Sequence, residues 1–138
     1  METALTPLTF EKILQTKTYT AIIIKAPTKS FAIYVEPTVG MHIQSSMLDT
    51  KKPRPHTHDM MTMIFKGLGV KMKHVVINDL QDSIYYARMV LEQTFESSAR
   101  HIVEVDARPS DCITLALFNN IPVFCTQNVV DNALAFEE

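Results

Sequence analysis

The chain has 138 residues, of which 46% are hydrophobic and 20% charged, so it holds enough apolar material for the core of one globular domain. No apolar run approaches the roughly 20 residues that span a bilayer. The N-terminus also lacks the basic start and apolar centre of a secretory signal. Because Cys112 and Cys125 lie among apolar neighbours, we interpret them as reduced core thiols of a cytoplasmic protein.

The net charge of −2 conceals an uneven distribution of charge along the chain. Residues 51–74 contain six Lys or Arg and one acidic residue, whereas the remaining residues contain seven basic and fourteen acidic ones. A positive patch on an acidic protein is typical of a surface that binds phosphate-bearing partners such as DNA or RNA. A face of solvated lysines would explain the same pattern equally well.

The N-terminal residues have a weaker pattern than the rest of the chain. We interpret residues 1–18 as an N-terminal extension, with one short helix or strand around 10–14, and residues 19–138 as a single domain. Within that domain, β-branched residues and a Pro-Thr-Lys-Ser turn predict a hairpin of strands 19–25 and 31–35.

A helical pattern follows this hairpin. The segment Pro37–Gly40 is expected to break the chain, and residues 41–48 to form a helix of about two turns. The proline-bearing segment 49–55 predicts a loop. Apolar residues at helical spacing then predict a helix over 58–68, with Thr57 as its N-cap.

The clearest hairpin in the sequence has strands at 70–77 and 84–92, joined by a turn at 78–83. In its second strand, alternation places four residues on one face, namely Tyr85, Ala87, Met89 and Leu91.

The C-terminal third combines strands and helices. Residues 102–106 alternate as a strand does, and Pro109 suits the first turn of a helix over 110–118. A strand at 122–126 and a short helix at 128–135 follow. The whole pattern predicts an α+β fold, with helices packed on a mixed, mainly antiparallel sheet, in which helix 110–118 is the most buried element.

Two short blocks, Arg54–Asp59 and Asp106–Asp111, carry the candidate chemistry. Each block places an arginine before a proline, followed by a hydroxyl and an aspartate at a predicted helix start. Helix N-termini beside arginines bind anions, above all phosphate, and carboxylates near a histidine can serve as acid and base. The candidate catalytic residues are therefore Asp59, Asp106, Asp111 and His58, and the candidate phosphate-binding residues are Arg54, Arg108, Lys51 and Lys52.

These blocks leave two functions open. The first is a nuclease that hydrolyses phosphodiester bonds, in which carboxylates beside a histidine could also hold a divalent cation such as magnesium, although the pattern does not identify the metal. The second is a non-catalytic binding or regulatory domain, in which the Arg and Asp residues form a structural ion-pair network. In both cases we expect the two blocks to meet in space, because each is too small to form a site alone.

At these residues the chain resembles the bifunctional nuclease domain family. The motifs that carry the resemblance are Arg54-Pro55-His56-Thr57-His58-Asp59, Tyr85-Tyr86-Ala87-Arg88, the 106–111 block and Ile121-Pro122-Val123. The resemblance implies a compact α+β domain, a homo-oligomer, and nuclease activity on DNA and RNA. One departure is visible: where the family pattern carries a glutamate, this chain has Ile43.

Overall fold

The computed structural model describes residues 4–48 and 52–137, which form seven strands and four helices. In chain order the elements are β1 (Leu5–Gln15), β2 (Thr20–Lys25), β3 (Ser30–Val35), α1 (Pro37–Met47), α2 (Thr57–Gly67), β4 (Val70–Gln81), β5 (Ile84–Thr94), β6 (Arg100–Ala107), α3 (Pro109–Asn119), β7 (Val123–Thr126) and α4 (Gln127–Asn132). None of the helices in this described part of the chain combines the length and the hydrophobicity that crossing a bilayer requires.

The described strands form one sheet in the order β3-β2-β1-β7-β4-β5-β6. Only β4 and β7 pair in parallel among the described neighbours, and each other pair is antiparallel. The predicted α+β class, with a mixed and mainly antiparallel sheet, is therefore confirmed.

Both predicted hairpins are present, but the turn of the second is shorter than expected. Asp82 and Ser83 alone connect β4 to β5, and both have positive φ, at 50° and 66°. Two successive residues with positive φ match the right-handed twist of the flanking strands, so pairing continues up to Gln81 and Ile84. The alternation in β5 is as predicted, since Ala87, Met89 and Leu91 are buried and Tyr85 is half-buried.

The N-terminal segment is part of the sheet. The short helix or strand expected around residues 10–14 is strand β1, which is longer than expected and lies between β2 and β7. Its residues Leu5–Leu8 pair with β7 and its residues Thr9–Gln15 pair with β2, and the β1–β2 pairing has a register shift between Phe10 and Lys12. Residues 5–15 therefore share the sheet with the strands of the predicted domain.

The predicted break at residues 37–40 is wrong, because these residues form the first turn of helix α1. The helix begins at Pro37 and runs to Met47, because proline lacks an N–H that the first helical turn would leave unpaired. Gly40 lies in its interior and packs against Thr20 of β2 so closely that a Cβ atom would be 2.1 Å from the Thr20 Oγ1 atom.

Helix α3 packs at the centre of the fold, but the prediction that it is the most buried element is wrong, because Thr20–Ile24 of β2 are all buried. Seven of its residues are buried, namely Pro109, Ser110 and Cys112–Ala116. The helix contacts the strands β3, β4 and β5 and the helices α1 and α2. It ends at Asn120, which adopts the left-handed conformation with φ 54°. The last helix is shorter than the predicted 128–135, because α4 ends at Asn132.

Candidate functional site at the start of α2 and α3

The start of α2 is organised by Asp59. Its Oδ2 atom accepts hydrogen bonds from the backbone N–H of His56 at 2.8 Å and from the Lys52 ammonium at 2.5 Å. His56 is therefore the N-cap residue and Thr57 the first helical residue, so the cap lies one position before the predicted one. Burial by itself raises the pKa of Asp59, but these two hydrogen bonds outweigh it and hold the pKa below the ordinary value of 3.8.

The start of α3 is organised by Asp111 and Arg108. The Nε atom of Arg108 donates to Oδ2 of Asp111 at 3.0 Å, and its Nη1 atom lies 3.4 Å from Oε1 of Glu36. The hydrogen bond to Asp111 is the main reason that the pKa of Arg108 is raised above its ordinary value, so the guanidinium stays charged. Ser110, which was expected to add a hydroxyl to the site, is buried, and its backbone oxygen accepts from Thr114 Oγ1.

The two helix starts meet through a histidine and a carboxylate. The Nε2 atom of His58 lies 3.1 Å from Oδ1 of Asp111. An ionised carboxylate only accepts hydrogen bonds, so Nε2 is the protonated nitrogen in this arrangement. A second contact joins the helices, from the Asn119 amide to the Thr62 hydroxyl at 3.1 Å. The expected meeting of the two blocks is confirmed, although His58 makes the link rather than an arginine.

A second histidine pair, missed by the sequence analysis, lies beside this contact. The rings of His42, on α1, and His56 are tilted by 32° with centroids 4.1 Å apart. Burial is the main cause that lowers the pKa of His42, and the charges of His56, Lys52 and His58 lower it further. No local sequence pattern marks His42, because its proximity to His56 depends on where α1 lies relative to the start of α2.

A cleft of about 450 Å³ lies between the loop 52–55, α2 and the C-terminal end of α3. Lys52, Arg54, Asp59, Phe118 and Asn119 are among the residues that line it. The Lys52 ammonium lies 5.3 Å from the centroid of the Phe118 ring, within the range of a cation–π contact. Arg54 is exposed and has no hydrogen bond or ion pair with another described residue.

The predicted site residue Asp106 is not part of this contact network. Asp106 is exposed on β6 and makes no hydrogen bond or ion pair through its side chain within residues 4–48 and 52–137; its cross-strand neighbour is Arg88. Lys51 lies outside the described residues. A larger cavity of about 780 Å³, between β3, the β4–β5 turn and residues 132–137, is lined by none of the candidate residues.

The described residues do not fit a site for the divalent cation, such as magnesium, that the sequence left open. No group of three or more His, Cys, Asp or Glu side chains in this part of the chain is placed to hold a metal ion. Hard divalent cations require several oxygen ligands, yet Asp59 and Asp111 are each already paired with a cationic side chain.

Position 43, where the family pattern carries a glutamate, belongs to the core in this chain. Ile43 is fully buried and packs in the main apolar cluster. An unpaired carboxylate at such a position would be costly, because burial disfavours its charged form. In this protein, the residue at position 43 therefore supports packing.

The fold and the paired helix starts can be compared with known proteins. A family model described as the bifunctional nuclease domain matches residues 22–138. The chain therefore belongs to the bifunctional nuclease domain family, and the resemblance found in the sequence motifs is confirmed.

Two relatives come from Mycobacterium tuberculosis, one from strain CDC 1551 / Oshkosh and one from strain ATCC 25618 / H37Rv, and both carry the description "Uncharacterized protein". Each is 33% identical to this chain over 81 residues, which is 59% of this chain and 44% of the relative. The chain thus matches less than half the length of these relatives.

Proposed function

We propose that this domain hydrolyses phosphodiester bonds of DNA or RNA, with His58 and Asp111 as its catalytic pair. The observation that carries the proposal is the 3.1 Å contact between His58 Nε2 and Asp111 Oδ1 at the point where two helix N-termini meet. A carboxylate in this position orients the imidazole and stabilises the imidazolium ion that forms when the ring accepts a proton. Membership of the bifunctional nuclease domain family supports the same reaction class.

In the proposed reaction, His58 acts as the general base. Because Nε2 faces Asp111, Nδ1 is the ring nitrogen that takes a proton from water. The water oxygen forms a bond to phosphorus while the bond from phosphorus to the leaving sugar oxygen breaks. The leaving oxygen takes a proton from solvent, and His58 returns its own proton to solvent in the next step. Every proton is thereby accounted for without a further reactant.

The cationic side chains around the cleft would hold the phosphate. Arg54 is exposed and has no partner among the described residues, so a phosphate displaces no described ion pair when it binds there. Lys52, which also lines the cleft, is paired with Asp59, and a phosphate would have to share it. Arg108 does not line the cleft; it is paired with Asp111, beside His58. The N-terminus of α2, where Asp59 lies, adds partial positive charge to the cleft, whereas α3 lines the cleft with Phe118 and Asn119 of its C-terminal end.

The experiment is cleavage of single-stranded and duplex DNA and RNA by the purified protein, each with and without a chelator. We expect His58→Gln and Asp111→Asn each to lower kcat by about two to four orders of magnitude, the usual contribution of acid–base catalysis. Glu96→Gln, at an exposed position in the β5–β6 turn, is the matched control and should cleave normally. Cleavage that survives both substitutions would exclude this mechanism.

The alternative is a non-catalytic binding or regulatory domain. It is favoured by the pairing of Asp59 with Lys52 and of Asp111 with Arg108, since each pair also fixes the start of a helix. A purely structural role predicts that Asp111→Asn lowers the free energy of unfolding and that the unmodified protein does not cleave any of the four substrates. Measuring stability beside cleavage therefore separates the two functions.

A further inference from the structure

Strand β6 forms an open edge of the sheet. It is the terminal strand in the sheet order, and Arg100–Asp106 are all exposed. Three of these residues are large and apolar, with exposed fractions of 48% for Ile102 and 41% each for Val103 and Val105. Val103 and Val105 lie on the same face as the buried Met89 and Leu91 of β5, so the apolar face of the sheet continues beyond its helical cover.

The opposite edge of the sheet, strand β3, is partly covered by the C-terminal segment. At β3, the backbone N–H of Phe136 donates to the Ser30 oxygen at 2.7 Å, so the C-terminal segment satisfies part of that edge. Natural edge strands are usually protected by proline, lysine, bulges or a covering segment. Strand β6 contains neither proline nor lysine, and its pairing with β5 is regular from Arg100 to Ala107. Its charged residues Arg100, Glu104 and Asp106 are of both signs, so they can pair with one another across an interface.

We propose that β6 is a docking strand for β6 of a second copy of this chain, paired antiparallel about a two-fold axis at Val103. In this register Val103 faces its own counterpart, and Arg100 faces Asp106 of the second copy. The symmetry creates that charge pair twice, once on each side of the axis. Both side chains are exposed, and the one ion pair that Arg100 makes among the described residues is a long one, 3.8 Å from Glu92, so Arg100 can reach across.

Charge decides between this register and its neighbours. Along β6, the backbone N–H and C=O groups of alternate residues point toward β5 or toward the open edge. The two-fold axis must therefore pass through a residue. An axis midway between two residues would place residues that point toward the edge opposite residues that point away from it. An axis at Glu104 would place two glutamates directly opposite each other, and an axis at Val105 would place Glu104 opposite Asp106. Like charges directly opposite destabilise a pair, so both registers are disfavoured.

An axis at Ile102 is free of like-charge pairs but is shorter. It would pair residues 100–104 only, whereas the axis at Val103 pairs residues 100–106. It would also place Arg100 opposite Glu104, whose carboxylate is already bound by Arg88 at 3.1 Å. The Val103 register therefore combines the longest overlap with a charge pair whose acidic member, Asp106, is not engaged by a described residue.

Self-association of the full chain, followed by sedimentation over a range of concentrations, tests the proposal. The unmodified protein should dimerise, and Arg100→Asp and Asp106→Arg should each weaken the dimer at least about tenfold, because symmetry makes two pairs repulsive at once. Mixing the two variants should restore the dimer. The aspartate introduced in one copy would then face the arginine introduced in the other, and the second charge pair would keep its original residues. A monomeric unmodified protein, or two variants that do not dimerise better when mixed, would overturn the proposal.

A crosslink tests the register directly. Directly opposed residues in an antiparallel pair have Cα atoms about 4.5–5.5 Å apart, within the roughly 4.4–6.8 Å that a disulfide spans, so Val103→Cys should form a disulfide-linked dimer when treated with diamide. Ile84→Cys is the matched control, because Ile84 is also apolar and exposed but lies at the β4–β5 turn. Equal crosslinking of the two variants would show collision of exposed thiols and would exclude the Val103 axis.

Discussion

His58 and Asp111 are 53 positions apart in the chain, yet His58 Nε2 lies 3.1 Å from Asp111 Oδ1. Each residue occupies the first turn of its own helix, α2 or α3. The contact joins the two segments that carry nearly all of the candidate chemistry. It follows that any change in the packing of α2 against α3 alters the site even when no site residue is substituted.

Substitution of two helical glycines by alanine should have different effects on the free energy of unfolding, because Gly40 packs closely against β2 and Gly67 faces open space. Gly40→Ala places a Cβ atom 2.1 Å from Thr20 Oγ1 and 2.3 Å from Gln15 Oε1, so it should lower the free energy of unfolding by about 1–3 kcal/mol. Gly67→Ala meets nothing within 4 Å at the end of α2, and should leave stability unchanged or raise it by up to about 1 kcal/mol. Urea unfolding of both variants checks this pair, and equal effects would contradict it.

The lowered pKa of Asp59 predicts a pH-dependent contribution to stability. A carboxyl group with a lower pKa in the folded state stabilises the protein above its unfolded pKa, and this contribution disappears as pH falls through the folded value. At neutral pH, Asp59→Asn should therefore cost about 1 kcal/mol, because the amide keeps only part of the interaction with the start of α2.

The measurement is urea unfolding of both proteins at several pH values. The difference in unfolding free energy should shrink as the pH falls below the ordinary carboxyl pKa of 3.8. A difference that is constant across the acid range would show that the charge of Asp59 does not contribute. Glu96→Gln, exposed and in a turn, should show little difference at any pH.

The two cysteines are predicted to be unreactive in the folded protein. Burial raises the pKa of Cys112 to about 12, with a smaller contribution from Asp111 and Asp106, and burial raises the pKa of Cys125 to about 11. The thiolate is the reactive form, so iodoacetamide at mildly alkaline pH should modify neither residue until the protein is unfolded in denaturant. Mass spectrometry gives the extent of modification. Rapid labelling of the folded chain would show that the packing around α3 or β7 opens easily.

Nucleic-acid binding, if it uses the cleft, should depend steeply on salt. With four to six basic contacts, raising salt from 50 to 200 mM should weaken binding by roughly two to three orders of magnitude, because bound phosphates release counterions. Lys52→Ala and Arg54→Ala together should lower the slope of log K against log salt by about 2 for duplex DNA.

Lys17→Ala, in the exposed β1–β2 turn, is the control and should leave that slope unchanged. Asp111→Asn should spare binding while it removes cleavage. Binding that is weak and insensitive to salt would remove nucleic acid from the partners of this protein and would count against the nuclease proposal as well.

Elements whose signal is local could be predicted from the amino-acid sequence. The alternation at Tyr85, Ala87, Met89 and Leu91 predicts a strand with one buried face. This prediction needs no knowledge of the rest of the fold, because the period of two depends only on the strand itself. The motifs in the 54–59 and 106–111 blocks likewise identified the family, because they are short and contiguous in the chain.

Features that depend on contacts between distant parts of the chain could not be predicted from local patterns. Strand β1 lies between β2 and β7, and its apolar residues Leu8, Phe10 and Ile13 are only partly buried against the core, so its place in the sheet depends on partners that are distant in the chain. His42 approaches His56 only because α1 packs beside the start of α2. For His58 and Asp111, the sequence predicted that the two blocks meet, but spacing along the chain carries no information on which side chains make the contact, because that depends on how α2 packs against α3.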